Sequence, residues 1–190
     1  MMEILHDDEY SCCWCYRQNR PPGSAVSDTG DLPHGVNLRS GDLADLPSDV
    51  CDNMDVVIFA AGSGGNTGAE MTDKVDRDGA KKLVDIAGRS DVKQFVMLSS
   101  VGADQANPTG DLAHYLKAKH DADAHLKASG LTYAILRPVA LTDDDRHQEV
   151  TLGDAVDKSA TASRADVAHL LADAAISGCL DGQAVDMQSA

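Results

Sequence analysis

No glycine occurs before Gly23 in this 190-residue chain, aromatic residues make up only 4% of it, and 16 basic side chains face 31 acidic ones. The missing early glycines exclude a phosphate-cradling turn near the N-terminus, because such a turn needs closely spaced glycines directly after a buried strand. Gly23, Gly30 and Gly35 sit instead among Pro and Asp with no buried run ahead of them. With 43% hydrophobic residues and so few aromatics, the core must be built from Ala, Val, Leu and Ile, and the length suits one globular unit. The net charge of -15 repels polyanions and excludes nucleic acid as a natural partner. Acidity carried mostly by Asp fits two settings equally, a high-salt cytoplasm and a moderately acidic mesophile. Long apolar runs are also lacking, and Glu3, Asp7, Asp8 and Glu9 do not form a signal peptide's basic-then-apolar layout. The expectation is a soluble cytoplasmic protein with no membrane partner.

Cysteine is present but unhelpful to a disulfide framework: Cys12, Cys13, Cys15, Cys51 and Cys179 are odd in number and three are crowded together. A zinc site on Cys12, Cys13 and Cys15 lacks a second ligand pair at suitable spacing, so no metal is expected.

The chain divides into an irregular or degenerate N-terminal segment, 1–35, and a domain, 36–190. Cys12 to Tyr16 reads as a short strand, and Pro21-Pro22-Gly23 opens a loop. From Val36 strands and helices alternate: a strand at Val36 to Arg39, a short helix at Leu43 to Val50, and the apolar strand Asp55 to Ala60. A helix from Asp73 to Ala87, a strand from Gln94 to Leu98, a helix from Leu112 to Ala128 and a strand from Leu131 to Leu136, broken by Pro138, follow. Short strands near 150–152 and 184–187 flank a helix at Arg164 to Ile176. The strand at 55–60 is apolar on both faces, as a parallel strand covered by helices must be. The order predicts an α/β fold: a Rossmann-like, doubly wound parallel sheet with helices on both faces and right-handed crossovers.

Ligands of such sheets bind beyond the carboxyl ends of the strands. Those ends carry Gly41-Asp42-Leu43, Ala60-Ala61-Gly62, Ser99-Ser100-Val101-Gly102 and Arg137-Pro138, with small residues that let a flat cofactor approach the backbone. Tyr115 and Lys119 lie four apart on the helix after the serine strand and so share a face. An ammonium beside a phenol favours the phenolate and lowers a pKa that is ordinarily about 10, the tuning a general acid or base requires. A solvated helix face is the plainer reading of that pair. Ser99-Ser100 as a strand end, Asp76 as a first-turn helix acid and Arg137 as a surface arginine are the corresponding plain readings elsewhere.

Taken together, Asp55-Val-Val-Ile-Phe-Ala-Ala-Gly, Val75-Asp-Arg-Asp-Gly-Ala, Phe95-Val-Met-Leu-Ser-Ser-Val-Gly-Ala, Tyr115-Leu-Lys-Ala-Lys119 and Ser163-Arg-Ala-Asp-Val-Ala resemble the short-chain dehydrogenase/reductase superfamily. The resemblance is to its atypical NAD(P)H-binding, epimerase-like and NmrA-like members. It implies NADP or NAD as cofactor, with Asp42 and Leu43 flanking the adenine, Ala60, Ala61 and Gly62 lining the adenosine ribose, Ser99 at the cofactor, and Pro138 bordering the nicotinamide. Lys119 would hold the nicotinamide ribose. Tyr115 would be the acid/base, Ser100 would bond the substrate oxygen, and Asp76 stands where many relatives place Asn in a proton relay.

The same resemblance implies a first strand, glycine-rich turn and helix that this sequence lacks or carries in degenerate form. On that alignment Cys12 to Tyr16 becomes the second strand, and Arg17, with Arg20 beside it, falls where relatives that prefer NADP place an arginine near the 2'-phosphate. Losing a few charge-assisted hydrogen bonds, at about 1.5 to 3 kcal/mol each, would weaken dinucleotide binding and impair activity. A missing central strand would leave a gap in the sheet with exposed edges, a route to homo-oligomers. The sequence therefore points to a small-molecule oxidoreductase or epimerase of impaired activity, or to a non-catalytic dinucleotide-sensing or partner-binding regulator.

Overall fold

The computed structural model describes the backbone of residues 2–7, 10–15, 36–39, 41–64, 68–147 and 149–190, with side chains from residue 41 onward. An eight-stranded sheet runs through the molecule. Its strands are β1 (Met2–Asp7), β2 (Tyr10–Cys15), β3 (Val36–Arg39), β4 (Val56–Phe59), β5 (Gln94–Leu98), β6 (Thr132–Pro138), β8 (Val150–Leu152) and β10 (Gln183–Ser189), in the order β3-β1-β2-β4-β5-β6-β10-β8. A separate parallel pair, β7 (Ala140–Thr142) with β9 (Thr161–Ser163), sits beside it.

From β2 to β10 every neighbouring pair is parallel, whereas β1 is antiparallel to both β2 and β3, and β8 is antiparallel to β10. The sheet is thus mostly parallel. The gap expected beside β4 is not there: β2 pairs with it in parallel, Cys12 opposite Val56 and Cys15 opposite Phe59. The segment read as a second strand therefore neighbours β4 directly. Unpaired backbone groups in mid-sheet are costly, and the β1–β2 pair supplies partners for both β4 and β3.

Alternation along the central strands divides the core. Val57, Phe59, Phe95, Met97 and Ile135 point to one face, where they meet Leu83, Val84, Ile86 and Leu126 from the helices. Val56, Ile58, Val96, Ala134 and Leu136 point to the other, against Val167, Leu171 and Ala174. The first layer consists of α1 (Ala69–Thr72), a π-helical stretch (Asp73–Gly79), α2 (Ala80–Ala87) and α3 (Ala113–Ala128); the second is α4 (Arg164–Ser177). This is the doubly wound arrangement, with strands apolar on both sides because both sides are covered.

Three boundaries differ from expectation. The 69–87 helix starts before Asp73, the helix expected over Leu43 to Val50 is only a 3₁₀ turn, Leu43–Asp45, and β6 runs through Pro138. Pro138 can end the strand because its carbonyl still accepts, here from Val101 N–H at 3.0 Å. Ser163 caps α4 by accepting from Asp166 N–H at 3.0 Å, and Gly178 closes it in the left-handed conformation (φ 67).

Candidate active site

Strand order reverses between β2 and β4, and the chain leaving β4 forms one wall of a cavity of about 540 Å³. Ala60 to Gly64 line this wall. Ser63, Thr72 and Asp76 come from the segment that follows, Leu98 and Ser99 from the end of β5, and Asp111, Leu112, His114, Tyr115 and Lys119 from α3 and its approach. The cavity thus lies at the carboxyl edge of the parallel strands, where this fold class binds ligands.

Lys119 is its electrostatic centre. The side chain is only 5% exposed, and its Nζ lies 3.0 Å from Oδ1 of Asp76, which is fully buried. The same ammonium donates to the Leu98 carbonyl at 3.3 Å and stands 5.8 Å from the centre of the Tyr115 ring. Burial alone would push the Lys119 pKa down. Its neighbours Tyr115, Asp76 and Asp123 outweigh it and hold the pKa above the ordinary lysine value, so the group is a cation.

Asp76 is placed by unusual backbone. It sits in the π-helical stretch between α1 and α2, a wider turn of the kind often found at functional positions. Its other oxygen accepts from Ser63 N–H at 3.0 Å, tying the wall after β4 to the helix. Gly62 leaves room for this carboxylate, since a Cβ at that position would lie 3.3 Å from Asp76 Oδ1, tighter than an ordinary contact. Ser63 and Thr72 pair their hydroxyls at 3.3 Å.

Below Lys119 the charges continue to alternate. Asp123, one helical turn on, receives Arg137 through Nε at 2.9 Å and Nη2 at 2.8 Å, and both side chains are buried. Burial pushes the Asp123 carboxyl above the usual range, against the pull of Arg137, the Ser99 hydroxyl and Lys119. The Ser99 hydroxyl is buried beside that carboxyl without a partner that meets hydrogen-bond geometry among the described residues. Asp76, Lys119, Asp123 and Arg137 form a compensated row under the cavity floor. At the rim, His114 Nε2 approaches Asp73 Oδ1 at 3.0 Å, and Arg77 holds that same oxygen at 2.9 Å.

Of the residues singled out from sequence, Ala60, Ala61, Gly62, Asp76, Ser99, Tyr115 and Lys119 meet around this cavity. Ser100 does not line it, and its hydroxyl donates to the Val101 carbonyl at 3.4 Å. Asp42 is exposed and accepts from Ala44 N–H at 2.9 Å, while Leu43 packs onto the core. Pro138 is buried at the end of β6, outside the lining residues, and Arg17 and Arg20 lie outside the described residues. The surface reading of Arg137 is overturned, since that side chain is buried on Asp123. Asp123 itself was missed, although Tyr115, Lys119 and Asp123 follow one helical stripe at spacings of four.

Comparison with known proteins agrees with this geometry. The profile of the NAD(P)H-binding family matches residues 25–177, and the chain belongs to that family. It is 46% identical over 91 residues to the uncharacterized sugar epimerase YhfK of Bacillus subtilis, a match covering 47% of this chain and 42% of that protein. The solved structure of a Bacillus halodurans protein named as a candidate NAD-dependent epimerase/dehydratase superposes with a TM-score of 0.74 at 33% identity, covering 79% of this chain and 71% of that one. The oxidoreductase ylbE of Lactococcus lactis gives a TM-score of 0.74 at 28% identity, covering 84% and 74%. The chain spans less than half the length of the curated relatives it matches, 42% to 48%. Among the described residues no helix is long and apolar enough to cross a membrane, and no three His, Cys, Asp or Glu side chains are grouped to hold a metal.

Proposed function

We propose that this chain is a NAD(P)H-dependent oxidoreductase or epimerase acting on a small molecule, with Tyr115 as the proton donor or acceptor and Lys119 as its supporting cation. The observation that carries this reading is Lys119: a charged, nearly inaccessible ammonium held at the strand ends, 5.8 Å from the Tyr115 ring. A cation buried in that position needs a reason, since taking a charge out of water costs several kcal/mol.

The residues present fit the ribose and nicotinamide half of a dinucleotide. Ala60, Ala61 and Gly62 leave the wall low, and Ser99, its hydroxyl beside the Asp123 carboxyl, lines the same cavity. Lys119, with three donors and two protein partners, retains a hydrogen bond for a ribose hydroxyl. When bound, the cofactor supplies or accepts hydride. The chain's own part is to hold the reacting carbonyl beside the Tyr115 hydroxyl, to move a proton between that hydroxyl and the substrate oxygen, and to stabilise charge on the phenol with the ammonium. Asp76 fixes the lysine by accepting its charge on one oxygen while the other is held by Ser63 N–H.

One observation favours a second reading. Because Asp76 stands 3.0 Å from Lys119, the phenol faces an ammonium whose charge is already offset. That suits a dinucleotide-sensing module that binds cofactor without turnover, and weak activity suits it equally. Melting the protein with and without NADPH, then replacing Tyr115 with Phe, separates the readings. A cofactor that binds only the folded state raises the melting midpoint. The enzyme reading requires that rise together with NADPH oxidation that falls by a hundredfold or more in Tyr115→Phe. Turnover that survives the substitution unchanged removes Tyr115 from the mechanism, and a midpoint that does not move removes the dinucleotide.

A further inference from the structure

We infer that the substrate taken at the mouth of this cavity is a neutral carbonyl compound with an apolar flank, and not a nucleotide sugar. The inference rests on the reading of the cavity as a substrate site, but it is drawn from the mouth alone. Leu112 and Leu141 are 64% and 38% exposed, two of the three large apolar side chains left open on the described surface, and both line this cavity. They come from separate elements, the start of α3 and β7, so their convergence on one rim is a product of the fold. Open apolar side chains rimming a concave site mark where a ligand covers them.

The polar inventory points the same way. A nucleotide sugar brings a diphosphate, which calls for arginine or lysine within reach, and a ring of hydroxyls, which calls for several free donors and acceptors. Among the described lining residues the only lysine or arginine is Lys119, whose charge Asp76 offsets and whose one donor left after Asp76 and the Leu98 carbonyl is assigned to the cofactor ribose. Arginines around the Leu141 strand face aspartates as well: Arg137 holds Asp123, Arg146 stands 3.9 Å from Asp166, and Arg164, just after β9, reaches Asp143 at 2.6 Å. The rim carries the Asp111 carboxylate, which repels a diphosphate. Ser63 is paired with Thr72, and His114 is turned to Asp73. With the Ser99 hydroxyl beside the Asp123 carboxyl and the third donor of Lys119 given to the cofactor, what remains for the substrate is the Tyr115 hydroxyl, suited to a single carbonyl oxygen, in a cavity that Leu112 and Leu141 also line.

The test is an NMR titration of the purified chain with acetophenone as the neutral aryl carbonyl probe and UDP-glucose as the nucleotide sugar, each with and without NADP+. Leu112→Asp and Leu141→Asp serve as variants, since both sites are open to solvent and tolerate a polar side chain without disturbing the core. Acetophenone is expected to bind more tightly than UDP-glucose and to lose at least fivefold in affinity in each variant. Tighter binding of UDP-glucose, no binding of acetophenone, or acetophenone affinity unchanged in both variants overturns the inference. A failure of NADPH to raise the melting midpoint bears on the dinucleotide reading instead, and the cofactor-free arm still decides what the mouth accepts.

Discussion

Replacing Lys119 with Met should cost the fold far more than a surface substitution, and the structure sets the scale. At an effective dielectric near 20, two unit charges 3.0 Å apart attract by roughly 5.5 kcal/mol, most of which offsets the cost of removing both from water. Methionine matches the length of the stem but leaves Asp76 with no cation, in a site where its side chain is fully buried. Breaking one partner out of a buried pair costs about 3 to 5 kcal/mol. For a chain of this size that lowers the melting midpoint by about 6 to 20 °C. The double variant Asp76→Asn with Lys119→Met removes both charges and should recover at least about 1.5 kcal/mol relative to the sum of the single effects, which is the mark of direct coupling. Thermal and urea melts of the four proteins at low and high salt provide the measurement. Because the pair is buried, the coupling should persist at 1 M salt, where an exposed pair would be screened. A midpoint for Lys119→Met within 2 °C of the parent, or single effects that simply add, would refute the argument that this pair organises the site.

Other outcomes follow from the same packing. Arg137→Met strands Asp123 beneath the cavity and should destabilise by about 3 to 5 kcal/mol in urea melts, whereas a surface arginine would cost almost nothing. The Asp123 carboxyl is raised in the folded state, so it contributes stability that is fully present below the ordinary carboxyl range and is lost as pH rises through the elevated value. The parent's stability relative to Asp123→Asn should therefore decline with rising pH across that window in a series of melts. Gly79→Ala should destabilise by about 1 to 3 kcal/mol despite alanine's better helix propensity, because its Cβ would meet Leu43 Cβ and the Lys74 carbonyl at 3.0 Å; thermal melts check it. Ser163→Ala should lose the α4 cap, about 1 kcal/mol, and lower the midpoint by a few degrees.

Periodicity and strand-end chemistry carried much of this architecture in the sequence. The apolar runs at 56–59 and 95–98 read as buried parallel strands, and the helix bearing Tyr115 and Lys119 follows the serine strand as expected. What could not be read was tertiary. Nothing local says that Asp76 would meet Lys119, because 43 residues of chain and a strand separate them and the π-helical stretch that aims the carboxylate leaves no pattern of its own. Arg137 next to a proline looks like loop chemistry until the Tyr115, Lys119, Asp123 stripe is followed one step further. The pairing of β2 with β4 escaped for a similar reason: a motif missing from the N-terminus suggested a hole, but a sheet will recruit any strand that satisfies its backbone.

The widened turn at Asp73–Gly79 has a consequence for how this chain can vary in length. A residue removed from an α-helix rotates everything on one side of the cut by about 100° relative to the other. Leu83, Val84 and Ile86 pin α2 to the sheet, so shortening the π-helical stretch at Asp78, between Asp76 and α2, would turn Asp76 and the residues before it out of the register in which the carboxylate and the α2 core face are satisfied at once. A one-residue deletion there should unseat the carboxylate and disturb only Val75 of the hydrophobic layer, which makes this turn a point where the site can be lost and most of the scaffold kept.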